Sequence, residues 1–234
     1  MRGIYKKQFS EKIYDEDARY IPAHGKLLWL LFRKLQKFHN SKEDVVASLL
    51  PKGGKYLDIG CGDGILSFKA ESKFEEIFGM DIAGNRIRRA KERNQKGHFF
   101  IADLDDLLPF KDEIFDVVTC IDTLQYCFDP CRVVKEFHRI LRKDGVFIIH
   151  VPNIAWFPYR IKLLFGELIT PSFAQGYGWY GGVLHNFTLQ TLEDFLKREG
   201  FRIIKRTGSG VFSKWRAWWL SLLSGDIIVK TTKV

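Results

Sequence analysis

Lys55-Tyr56-Leu57-Asp58-Ile59-Gly60-Cys61-Gly62-Asp63-Gly64 is the stretch around which the chain is organised. Residues of buried-strand character run into a glycine at every second position, and Ile65-Leu66 then opens a helix. A glycine loop at that point lets the backbone turn sharply and lets a ligand approach without side chains in the way. The helix N-terminus behind it offers unbonded N–H groups and a positive dipole end, which suits a carboxylate or phosphate.

Two ligand classes use a strand, a glycine loop and a helix. The dinucleotide fingerprint G-x-G-x-x-G needs a third glycine for close helix packing. Gly60 and Gly62 fit it, but the third slot holds Ile65, so that pattern fails. What stands is D-x-G-x-G-x-G, with Asp58 inside the strand end. This resembles the first motif of class I S-adenosylmethionine-dependent methyltransferases, and the resemblance implies S-adenosylmethionine as cofactor and S-adenosylhomocysteine as product.

Outward from the loop the pattern alternates strand and helix. Further strands are expected at Glu76–Asp81, His98–Asp103, Phe115–Ile121 and Val146–Val151. A basic helix lies around residues 86–96. Another begins at Asp129-Pro130, an N-cap followed by a first-turn proline, and closes at Lys143-Asp144-Gly145. Its apolar side carries Val133, Val134, Phe137, Ile140 and Leu141. A helix from Thr188 to Glu199 turns Leu189, Leu192, Phe195 and Leu196 inward, and strands at 201–205 and 227–230 end the chain. The expected fold is α/β: a Rossmann-like, doubly wound, mostly parallel seven-stranded sheet.

Two regions decorate it. Residues 1–50 read as an N-terminal helical cover, with a stripe at Leu27, Leu28, Leu31 and Leu35 and a helix from Ser41 to Leu50. Residues 152–187 hold eight aromatics between Trp156 and Tyr180 and read as a lid insertion after strand five. Residues 51–234 then form the methyltransferase domain, and the whole is one compact unit.

Ligands in open α/β sheets sit outside the carboxyl ends of the strands. Asp58, Asp81 and Asp103 lie at or near those ends in the first three strands. Asp81, 17 positions after Gly64, is placed to accept from two ribose hydroxyls. Asp103 can accept from an adenine amine, with Ala102 and Leu104 flanking the base. Asp58 and Asp63 are candidates to meet a methionine ammonium. Gly60, Cys61, Gly62, Gly64, Ile82 and Ile121 complete the expected cofactor contacts. Each aspartate taken singly also fits a helix cap or turn; together with the loop they point to a nucleoside.

The likeness extends further. Thr123-Leu124-Gln125, Asp129-Pro130, Val151-Pro152-Asn153, Arg160–Gly166 and Leu184–Thr188 resemble the MetW proteins of methionine biosynthesis and touch the ubiquinone-type methyltransferases. Residues 1–45 depart from that family.

Methyl transfer is an in-line displacement, and a base is needed only for an acceptor that holds a proton. Asp122 and Tyr126 follow strand four beside the expected methyl position, and His185 follows the aromatic stretch that ends at Tyr180; these three are the catalytic candidates. His185 equally suits a histidine bonding the backbone at a loop end, and His150, inside a strand, suits packing or bonding to a neighbour.

The chain of 234 residues carries a formal charge of +9, which leaves nucleic acid open as a partner beside a small-molecule or lipid-like acceptor. No N-P-P-Y-like segment follows strand four, and Pro130-Cys131 comes late for a pyrimidine-methylating nucleophile. Four cysteines in a chain this long fit a reduced, cytoplasmic protein without disulfides. Cys127 and Cys131 lack a second ligand pair, so no metal is expected. No apolar run reaches the length of a membrane span. A MetW-like cofactor-binding partner without turnover is the third reading.

Overall fold

The computed structural model describes residues 39–169, 183–211 and 216–234. Seven strands form the main sheet: β2 Lys55–Ile59, β3 Glu76–Asp81, β4 His98–Ile101, β5 Phe115–Ile121, β6 Leu141–Pro152, β7 Phe201–Thr207 and β9 Asp226–Lys233. Their spatial order is β4-β3-β2-β5-β6-β9-β7, and β9 alone runs against its neighbours. A separate two-stranded sheet pairs β1, His39–Asn40, with β8, Gly210–Val211.

The order reverses between β2 and β5. The chain runs outward from β2 through β3 to β4, then returns to lay β5 on the other side of β2. Loops leaving β2 and β5 therefore diverge at the carboxyl edge and open a crevice there.

Strand residues alternate between two helix layers, because successive side chains point to opposite faces. Leu57, Ile59, Val118, Cys120, Phe147, Ile149 and Val229 face α4, Pro130–Ile140, and α6, Leu189–Arg198. Phe147 packs between Phe137 and Phe201, with ring centroids 5.3 and 5.2 Å away. Tyr56, Val117, Ile148 and Ile228 face the opposite layer, where α1, Lys42–Leu49, and α2, Ile65–Ala70, bury Val46, Leu49, Leu66 and Ala70. A smaller group, Cys61, Ile87, Ala90 and Phe99, seats α3, Gly84–Arg93.

The caps follow their local chemistry. Ser41 Oγ accepts the Asp44 N–H at the start of α1, Asp129 accepts from Arg132 N–H at α4, and Thr188 with Thr191 forms a reciprocal box at α6. Gly200, at φ +85°, ends the chain's excursion through α6.

Three boundaries differ from the sequence pattern. The helix α4 stops at Ile140, not at Lys143-Asp144-Gly145, because Leu141 already pairs with Phe115. The strand β6 is therefore twelve residues long, with an irregularity that takes Asp144 to φ +60°. The third strand stops at Ile101, leaving Ala102-Asp103 as loop, although Ala102 N–H still donates to Asp81 O. The helix beginning at Ser41 is no outlying cover: Val46 and Leu49 belong to the core of one layer. The leucine stripe at 27–35, and residues 170–182 of the aromatic insertion, lie outside the described residues. The described part of that insertion contains α5, Phe157–Leu164, in which no residue is buried.

Phe147→Ala should destabilise the fold by about 3–5 kcal/mol, the usual cost of emptying a buried phenylalanine site. Urea unfolding followed by circular dichroism measures it. A loss under about 1 kcal/mol would show that the layer collapses around the missing ring.

Candidate cofactor and acceptor site

The loop after β2 is built on three glycines in left-handed conformation, Gly60 at φ +66°, Gly62 at +52° and Gly64 at +71°. Other residues disfavour that region because Cβ meets the following carbonyl. Gly60 carries a second constraint: a Cβ there would collide with Thr123 Oγ1, which belongs to the turn after β5. The two crevice walls thus touch at Gly60. At Gly64 a Cβ would lie 3.0 Å from Ala90 Cβ, so this glycine lets α3 approach.

Backbone bonds fix the loop to β3. Cys61 N–H donates to Met80 O at 2.9 Å, and Gly62 N–H to Asp81 Oδ2 at 3.0 Å. Asp81 Oδ1 accepts Ala83 N–H at 2.9 Å. Each Asp81 oxygen thus takes one backbone donor, and a carboxylate can take about four donors in all. Burial raises the Asp81 pKa, with the Ala83 N–H and Arg86 opposing. Capacity for two further donors at the end of β3 fits a vicinal diol. Asp103 Oδ1 accepts Asp105 N–H at 3.0 Å, at the start of the loop after β4, where Leu104 is buried and Ala102 half-buried.

Asp58 and Asp63, the candidates for an ammonium, both have partners within the protein. Asp58 lies beneath the loop, where Oδ2 accepts from Ser67 Oγ–H at 2.8 Å and Oδ1 from Thr119 Oγ1–H at 2.9 Å. Tyr56 OH stands 2.7 Å from the same threonine oxygen. Burial pushes the Asp58 pKa up to about 6, against the hydroxyl bonds that favour the anion. Asp63 pairs with Arg89 at 3.0 Å and ties the loop to α3. Cys61 is buried, and its thiol pKa is pushed far up by desolvation and by Asp58. Ile82 and Ile121 are half-buried at the ends of β3 and β5.

After β5 the chain turns through Asp122, a non-glycine residue at φ +51°. Its carboxylate makes a salt bridge to Lys42 of α1 and lies 3.0 Å from His150 Nδ1 on β6. The histidine contact is a close ion pair rather than an aligned hydrogen bond. His150 Nε2 lies 3.1 Å from Asp226 Oδ2 at the start of β9. Asp226 also accepts from Ser209 N–H, Ser209 Oγ–H and Ser224 Oγ–H. Burial disfavours the His150 cation, but the two carboxylates outweigh it and push its pKa up to about 9. Burial likewise opposes ionisation of Asp122 and Asp226. The charge of His150 and the donors around each carboxylate prevail, holding both well below the usual carboxylate range.

Tyr126 is half-buried in the short 3-10 turn Leu124–Tyr126 that continues from Asp122. The segment bearing His185 docks on that turn: Leu184 and His185 N–H both donate to Gln125 O. His185 Nε2 donates to Cys127 O at 2.9 Å, so Nδ1 is the ring nitrogen outside that bond. The three acceptor-side candidates therefore belong to one structural unit. His150, expected to pack or to bond a neighbour, stands between two carboxylates. The partners could not be named from the chain, since Asp226 is 76 positions away and Lys42 is 80 from Asp122. The available signals were a histidine inside the apolar run Ile148–Val151 and an aspartate opening the apolar run Ile227–Val229, because buried polar groups need partners.

Residues 57–149 match the family model described as a methyltransferase domain. Over that segment the chain is similar to class I S-adenosylmethionine-dependent methyltransferases. A ubiquinone biosynthesis O-methyltransferase from Glaesserella parasuis is 27% identical over 153 residues, covering 62% of this chain and 60% of that protein. The chain thus spans less than two thirds of that relative's length. A human mitochondrial protein named arginine-hydroxylase NDUFAF5 is 36% identical over 93 residues, 39% of this chain and 27% of that protein. A crystal structure from Thermotoga maritima, described as a methyltransferase and possible histamine N-methyltransferase, superposes with a TM-score of 0.63 at 22% identity. It covers 89% of this chain and 96% of its own, and at that identity it speaks for the fold.

Two outcomes follow from the geometry. Gly60→Val should lose more than the about 1–2 kcal/mol that left-handed backbone alone costs an L-residue, since its side chain also meets Thr123. An unchanged urea midpoint would show that the turn after β5 yields freely. Stability should also fall on both sides of neutrality. The raised His150 pKa gives a contribution fully present below 6.5 and lost as pH rises through about 9. The depressed Asp122 and Asp226 give contributions present above 3.8 and lost on acidification. Asp226→Asn should shift the alkaline limb to lower pH in urea titrations run across pH 4–10.

Proposed function

We propose that the protein transfers a methyl group from S-adenosylmethionine to a small-molecule or lipid-like acceptor, releasing S-adenosylhomocysteine. The observation that carries this is the left-handed glycine loop at the point where strand order reverses, bonded to Asp81, beside which the Asp103 loop begins. In this reading Asp81 and Ile82 hold the ribose, and Ala102, Asp103 and Leu104 hold the adenine. Gly60, Cys61 and Gly62 pass along the methionine tail, with Ile121 beside them. Asp58, Asp63 and Gly64 keep the loop in shape from behind.

The bound cofactor supplies a methyl carbon already activated by its sulfonium. The chain supplies position, which is worth roughly 7–11 kcal/mol in well-aligned displacements. Asp122, held ionised by two cations, is a weak base and suits orientation of the acceptor. His185, with Nε2 committed to a carbonyl, presents the nitrogen that would take an acceptor proton. Tyr126 lies between them in sequence and lines the same wall.

An apolar acceptor is favoured by the surface beside this edge. Phe157, Leu163, Leu164, Phe165 and Leu168 are exposed around α5, as are Trp218 and Trp219. Trp156 packs toward Gly225, next to Asp226, so both segments leave the carboxyl edge together. Among the described residues no helix is long and apolar enough to cross a membrane. Three of the four free thiols are buried, as suits the cytoplasm. The second reading is a MetW-like cofactor-binding partner protein without turnover.

Calorimetry with S-adenosylhomocysteine tests the cofactor half. Binding should occur, and Asp81→Ala should weaken it by about 1.5–3 kcal/mol, as for lost hydrogen bonds to a charged group. Methyl-labelled cofactor with cell extracts tests the acceptor half, with label expected in metabolites or lipids. Label confined to RNA, with binding that falls steeply with salt, would replace the acceptor class. Tight binding with no labelled product would favour the second reading.

A further inference from the structure

The residues Lys42, Asp122, His150 and Asp226 come from α1, the turn after β5, β6 and β9. Both ring nitrogens of His150 face carboxylate oxygens, at 3.0 and 3.1 Å. A neutral imidazole has one N–H, so one face would set a lone pair against an anion. The ring is nearly sealed from water, with its side chain 5% exposed. Charge balance gives the same answer: two carboxylates, one ammonium and one imidazolium sum to zero, whereas a neutral ring leaves a buried net negative charge. Other charges facing the group are peripheral, Glu43 near Lys42 and Arg216 near Asp226.

The chain of contacts closes on itself. Asp226 is anchored by Ser209, which precedes β8; β8 pairs with β1, and β1 lies two residues before Lys42. Lys42 returns to Asp122, and Asp122 to His150. The segment from His39 to Lys42 is therefore held at both ends, by strand pairing and by the Lys42–Asp122 salt bridge. Asp122 meanwhile sits in a left-handed conformation that surrounding bonds must over-determine.

We infer that His150 is a positioning residue: its imidazolium, clamped between Asp122 and Asp226, fixes Asp122 and latches α1 onto the acceptor edge through Lys42. Loss of the ring proton would remove one of the two cations that hold Asp122 and release the latch. The device is independent of the cofactor; only the description of that edge as the acceptor side rests on the function proposed above.

The test uses the full chain with 15N-labelled histidine and three variants, Lys42→Met, Asp122→Asn and His150→Gln. Nitrogen–proton correlation spectra should show both His150 ring nitrogens protonated at pH 7, titrating together on the alkaline side. Lys42→Met should keep that signature, because it leaves the His150 clamp in place. Hydrogen-exchange protection of α1, corrected for intrinsic rates and compared with β5, should fall in wild type as His150 titrates. In Lys42→Met and Asp122→Asn it should be about tenfold lower at pH 7 and should no longer respond to that titration. If His150→Gln or Asp122→Asn fails to fold, the partly exposed Lys42→Met still decides. A neutral His150 at pH 7, or wild-type α1 protection in Lys42→Met, would overturn the proposal. Calorimetry with S-adenosylhomocysteine on the same samples separates the two claims: absence of binding with an intact latch response removes the cofactor reading and upholds the latch.

Discussion

A carboxylate without access to water sits under the glycine loop, and the shape of the crevice depends on how it is satisfied. Asp58 takes the hydroxyl of Thr119 from β5 and the hydroxyl of Ser67 from α2, with Tyr56 completing the set through Thr119. One buried group thereby ties together the strand entering the loop, the neighbouring strand across the reversal and the helix leaving the loop. Leaving such a group unpaired would cost several times what a normal hydrogen bond contributes, so the three elements cannot drift apart independently. The loop that lies across them inherits that geometry, and its glycines then accept left-handed turns and the contact with Thr123.

The carboxyl edge divides into two halves with different means of support. On the side of β2, β3 and β4, backbone N–H groups and carboxylates shape a polar cradle with acceptor capacity to spare at Asp81. On the side of β5, β6 and β9, the supports are charges that neutralise one another inside the protein, from Lys42 through Asp226. A cradle for a nucleoside needs unspent acceptors, while a wall that must hold a reacting partner in place needs fixed, saturated groups. Antiparallel β9 makes the second arrangement possible, because its first residue reaches the same edge as the last residues of β6.

Much of this was legible along the chain. The loop, the order of strands and helices, the caps at Ser41, Asp129 and Thr188, and the apolar face of α4 follow from periodicity and from short-range hydrogen bonding. The ends of elements were less legible where a tertiary pairing intervened: Leu141 leaves its helix because Phe115 offers a strand partner. Side-chain direction was the harder matter. Asp58 carries a residue type suited to a ligand and a position suited to the core, and only its neighbours Ser67 and Thr119 decide between them. Gly60 looked like room for a ligand, and its missing side chain is also room for Thr123.

By itself the sequence determined the class of architecture and the edge of the sheet where the glycine loop opens, because strand and helix periods, glycine spacing and caps are local properties read over a few residues. The tertiary structure decided which aspartates look outward, that His150 stands between Asp122 and Asp226, and that Lys42 returns to the turn after β5. Those outcomes join residues dozens of positions apart, and the burial that sets their charge exists only once the strands have paired.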